Sequence, residues 1–106
     1  MKFIFALLAV FTLTANANYY MFGPPVEGTA TDTSTKVMDQ NTLRSYLIIL
    51  NTGGTDIYVK FGSAQSATEG IKIPSGWNYE PEVAPSNSVW VVTASSTSTY
   101  TIMQGQ

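Results

Sequence analysis

The sequence predicts an all-β protein: a small antiparallel β-sandwich or barrel of about six or seven strands. Three observations lead there. The segment Arg44 to Gly62, RSYLIILNTGGTDIYVKFG, holds two apolar runs joined by Thr52-Gly53-Gly54-Thr55. Turn signals recur every ~8–12 residues through the rest of the chain. No apolar stripe of helical period is found after Ala17. At 106 residues the chain is long enough for one domain with one core.

The elements follow in order. Lys2 precedes an apolar run from Phe3 to Leu13, and Ala15-Asn16-Ala17 follows it. Positive start, short apolar stretch and small-residue site are the three parts of an export leader. A bilayer span needs ~20 apolar residues, more than this run supplies. Residues 1–17 therefore read as a leader cut after Ala17, or as a retained hydrophobic anchor, with Met21 as an alternative start. Residues 18–28 read as an extended arm that docks by Tyr19, Tyr20 and Phe22, because Pro24-Pro25 favours an open path. The same rings would serve equally to cover one edge of the domain's own core. Residues 29–106 are the sandwich.

Within it, Thr35–Met38 reads as a short strand and Asp39-Gln40-Asn41 as a turn. The run Tyr46 to Leu50 is continuously apolar, as in a central strand covered on both faces. Its partner alternates, with Ile57, Val59 and Phe61 on one side and Tyr58 and Lys60 on the other. The two read as a hairpin in which Gly53-Gly54 takes positive φ. Ile71 to Ile73 is a short strand stopped by Pro74. Trp77 to Val83 is extended, and Pro81 demotes it to an edge or loop. Val89 to Thr93 and Tyr100 to Met103 complete the strands, with Trp90 expected in the core.

Composition narrows the chemistry. There is no cysteine and no histidine. Disulfides, thiolate nucleophiles, zinc-thiolate sites and imidazole bases are all excluded. A net charge of −2 with no basic run gives no footprint for nucleic acid. Charged residues make up only 11%, so a partner would have few charges to desolvate. Glu80-Pro81-Glu82 is the nearest approach to paired carboxylates, which on a strand share a face at ~7 Å. Glycosidase pairs come from different strands in a cleft, so an exposed edge is the simpler account. Asp32, Asp39, Asp56 and Glu69 fall in loops without a calcium-loop spacing and read as solvated charges. Neither a metal nor a cofactor is expected, and no catalytic residue. Trp77 and Tyr79 alternate on a predicted edge and so share a face, a platform for sugar or protein.

One resemblance runs through residues 28–94. The pieces ATDTSTKV, RSYLIILNTG, IYVKFG, GIKIPSG, NYEPEVAP and VWVVT resemble, in order, the small β-rich virion proteins of bacteriophages, which decorate capsids or act as minor structural subunits. The resemblance implies a non-enzymatic subunit that decorates or cements a capsid or forms a spike or fibre base, docked without covalent bonds on a major capsid protein or other virion subunits, as a homo-oligomer or symmetric array. Its location would be the capsid surface, with membrane contact only through residues 1–17. The leader departs from that pattern. A particle with a membrane, a retained anchor or a start at Met21 would each account for it. A second expectation is an exported bacterial β-sandwich module that binds carbohydrate or protein.

Overall fold

The structure is a computed structural model that describes residues 23–106. The expected leader and the arm residues Tyr19, Tyr20 and Phe22 lie outside the described residues.

Eight strands form two four-stranded sheets. They are β1 (Val26–Ala30), β2 (Thr35–Met38), β3 (Tyr46–Asn51), β4 (Ile57–Phe61), β5 (Ile71–Ile73), β6 (Asn78–Tyr79), β7 (Val89–Val92) and β8 (Ser98–Gly105). The first sheet runs β1-β8-β3-β6 and the second β2-β7-β4-β5, with every pairing antiparallel. This is the strand order of a jelly roll, the double-sheet form of the β-sandwich. The sheets are not closed into a barrel, so the sandwich is the correct half of the predicted pair.

Period-two patterning builds the core. Leu47 and Ile49 of β3 and Ile102 of β8 point inward from the first sheet and are fully buried. Ile57 and Val59 of β4 and Val89 and Val91 of β7 meet them from the second. Tyr46, Ile48 and Leu50 alternate to the outside and stay half-buried. The continuous apolar run is thus not a strand covered on both faces. It is a half-exposed strand whose outer side is also apolar.

The predicted hairpin does not exist. β3 lies in one sheet and β4 in the other, so Thr52–Thr55 carries the chain across the sandwich. Asn51 shows why. Its buried amide donates to the carbonyls of Thr55 (2.7 Å) and of Ile73 in the second sheet (2.8 Å). Its carbonyl oxygen accepts from Gly53 N (3.1 Å) and from Ser98 Oγ in the first sheet (2.7 Å). One side chain therefore fastens the crossing to both layers. Gly53 is required for a reason other than φ. A Cβ there would collide with the Ser98 side chain and the Thr99 backbone, while Gly54 faces open space. Positive φ is found instead at Gly62, Gly70 and Gly76, and at Thr68 among non-glycine residues.

Two more expectations change. β1 is an eighth strand that the sequence reading assigned in part to the arm. Trp90 is not core: its neighbours Val89 and Val91 point inward, so its half-buried ring lies on the outer side of the second sheet.

Candidate functional site

Two elements carry chemistry that proves to be structural. Arg44 is only 6% exposed, yet no carboxylate among the described residues meets it. Its guanidinium donates to Gln104 Oε1 (2.8 Å) and to the backbone oxygens of Pro85 (2.6 Å), Asn87 (2.9 Å) and Asp39 (3.0 Å). It ties together three chain segments at one end of the sandwich. Burial lowers its pKa from the usual arginine value. Gln65 does similar work beside the second sheet: its amide donates to Tyr58 O (3.0 Å) and Trp90 O (3.4 Å), and its oxygen accepts from Ser34 Oγ (2.6 Å). The sequence signal for either was weak, because a polar residue next to a turn ordinarily reads as solvated.

The acidic residues are dispersed. Lys36–Asp39 (2.9 Å), Lys60–Glu69 (3.4 Å) and Lys72–Asp56 (3.4 Å) are exposed or partly exposed ion pairs. Register places all three lysines on the outer side of the second sheet, with Trp90 between Lys36 and Lys60, and Tyr58 beside Lys72. No group of three or more potential metal-ligating side chains occurs among the described residues. Glu80 and Glu82 are exposed and lie beyond the end of β6, so they do not share a strand face.

Trp77 and Tyr79 are not a joint platform. Trp77 is 67% exposed, whereas Tyr79 is partly buried against the core, its ring 6.4 Å from that of Phe61. Trp90 donates from its indole to Ser88 Oγ at 3.1 Å.

The surface that sequence reasoning missed is the outer face of the first sheet. Register aligns Thr29 with Thr99, and the Thr52 and Thr99 hydroxyls are 2.9 Å apart. The next row holds Glu27, Thr101, Leu50 and Asn78, and the next Met103 and Ile48. Tyr46 stands at the far end of the same strand face. Its hydroxyl donates to Glu80, which together with burial and the carboxylate's charge raises its pKa. An open groove of about 500 Å³ crosses this face, lined by Glu27, Thr29, Thr52, Thr99 and Thr101 among others. The face thus grades from a hydroxyl-lined groove to an apolar strip, and no lysine or arginine of the described residues lies on it. Such a surface can hydrogen-bond and bury apolar area together. It holds no paired acid and base to move a proton. The alternate threonines of β8 and the outward Ile48 and Leu50 were visible in the sequence. Their alignment was not, because it depends on β8 pairing with both β1 and β3.

No protein-family model matches the chain, and no curated protein does. Solved structures similar to the chain include two. One is a chain from the Bacillus endospore appendages, a family of disulfide-linked pili, at 16% identity and a TM-score of 0.48 over 83% of this chain and 89% of that one. The other is PirA, at 13% identity and a TM-score of 0.48 over 77% and 93%. Neither is described as a bacteriophage protein. Nothing in these matches is specific to bacteriophage, so the expected assignment as a virion, capsid or decoration protein is corrected and set aside. With no cysteine in its 106 residues, this chain has no counterpart to the disulfide linkage named for those pili.

Proposed function

We propose that this chain is an exported, non-catalytic β-sandwich module that binds its partner through the outer face of the first sheet. The observation that carries the reading is that face: a hydroxyl-lined groove beside the half-exposed Ile48, Leu50 and Met103, with few charges to desolvate. Export rests on the order of Lys2, the apolar run and Ala15-Asn16-Ala17. The non-catalytic part is supported by how the remaining polar groups are used. Arg44, Asn51 and Gln65 have their hydrogen bonds filled by the fold. The ligand is a carbohydrate or a protein surface.

The test has two arms. Expression with the native leader, followed by intact-mass measurement of the secreted protein, is expected to give a chain beginning at Asn18. Binding is then measured against immobilised glycans and against candidate protein surfaces for the wild type, Ile48→Asp and Thr101→Lys. Both changes sit on the outer side of strands, so melting should shift little while affinity falls about tenfold or more, as for residues central to an interface. Retention of full affinity in both variants would place the binding surface elsewhere.

A further inference from the structure

We infer that the free edge of β1 is a pairing site for β1 of a second copy of this chain. The two first sheets would join antiparallel about a twofold axis at Gly28.

Among the described residues, four strand edges are open in the two sheets: β1, β6, β2 and β5. Exposed edges usually carry devices that block pairing, such as bulges, lysines, prolines or very short length. Three of these edges carry them. β2 has a register break between Lys36 and Met38. β5 has three residues with Lys72 at its centre, and β6 has two, followed closely by Pro81. β1 has none within its length, although Pro24-Pro25 stands directly before it. Its five residues pair with β8 in unbroken register, and its side chains at and beyond the centre are Gly28, Thr29 and Ala30.

The hydrogen-bond alternation fixes which groups are free. Thr52 N donates to Thr99 O, so the backbone groups of Thr99 face β3. By the alternation of an antiparallel ladder, those of Thr101 also face β3, while those of Tyr100 and Ile102 face β1. Their partners Gly28 and Val26 therefore face β8. The N–H and C=O of Glu27 and of Thr29 are left on the open edge. The ladder available to a partner is bounded at both ends. Pro25 has no N–H, and Thr31 O already accepts from Thr93 N at 2.7 Å. Only one antiparallel register uses both free pairs. Glu27 stands opposite Thr29 of the second copy, Thr29 opposite its Glu27, and Gly28 opposite Gly28, where the backbones come closest.

A second observation falls at the same place. Tyr100 is 7% exposed, and its hydroxyl lies over Gly28, where a Cβ would collide with it. No hydrogen bond of that hydroxyl occurs among the described residues, and since no buried polar atom there is left without a partner, the hydroxyl is one that solvent reaches at the edge. In the paired arrangement the two Tyr100 hydroxyls approach the twofold axis from both sides and gain a polar neighbour. The joined sheet has eight strands, and the two threonine-lined grooves lie side by side on one surface. This inference goes beyond the binding-module reading and does not depend on the ligand.

The experiment is sedimentation equilibrium of the full chain purified after expression with its own leader, with amide hydrogen exchange on the same samples. A concentration-dependent dimer is expected, with the Glu27 and Thr29 amides protected only in the dimer. Thr29→Pro removes an outward N–H without touching the β8 ladder and should leave a folded monomer. Should that variant fail to fold, Thr29→Glu serves instead. It sets like charges opposite each other in two symmetric pairs and should weaken the dimer about tenfold or more at neutral pH, with recovery below pH ~4. A monomer at every concentration to about 1 mM overturns the inference. So does a dimer that Thr29→Pro leaves intact. Protection of Glu27 and Thr29 that does not vary with concentration overturns it too, because the edge is then covered by the chain's own residues.

Discussion

Arg44 keeps a full charge in the interior with only neutral oxygens around it, and the fold depends on that arrangement. Replacing it with Met leaves three backbone oxygens and the Gln104 side-chain oxygen, from three segments, without their donor. The expected loss is about 3 kcal/mol in chemical denaturation. Arg44→Lys should recover only part of it, because an ammonium cannot reproduce the fork that reaches Gln104, Pro85, Asn87 and Asp39 together. The two glycines of the crossing separate in the same assay. Gly53→Ala forces a Cβ into Ser98 and Thr99 and should destabilise by about 2 kcal/mol. Gly54→Ala meets nothing and should stay within about 0.5 kcal/mol of wild type. None of this was legible from residue types. An arginine beside a turn and an Asn-Thr-Gly-Gly sequence both have commoner uses, and burial by distant strands decides these cases.

Strands were legible where one side of the pleat is apolar and the other is not. Ile57–Phe61 and Val89–Val92 announce themselves by alternation or density of branched residues. Val26–Ala30 did not, because Glu27, Gly28 and Thr29 carry little β signal and the strand exists by pairing with β8. Sheet membership was not legible at all. A glycine turn between two apolar runs looks the same whether the runs pair or face each other across a core. Pairing also shapes the response to alkali. Burial raises the pKa of Tyr100 on β8, and the bond to Glu80 chiefly raises that of Tyr46 on β3. The folded form therefore holds these protons more tightly than the unfolded chain does. Stability from this source is complete below the ordinary tyrosine pKa near ~10 and falls as pH rises through the higher folded values. Urea titrations at rising pH should show that decline. In Tyr100→Phe it should be smaller, with stability near neutrality little changed, since the lost hydroxyl had no partner among the described residues.

At the scale of the molecule, only one pair of consecutive strands among the described residues, β4 and β5, are neighbours in a sheet. Every other connection passes from one layer to the other, so partners are distant in sequence. β8 is the extreme case, lying between β1 and β3 and completing the first sheet. Removing residues 98–106 should therefore abolish the folded state outright, read as loss of the cooperative urea transition, whereas removing Gln106 alone should be silent. The same topology sets a timetable. Contacts between remote segments form slowly, because loop closure must precede any gain from them. Val26 has no sheet partner until Ile102 has been made and released. A chain emerging from the ribosome thus cannot close its first sheet until β8 has left the exit tunnel. Until β8 is available the earlier strands of that sheet stay unpaired, and the sheet closes in one late step rather than strand by strand.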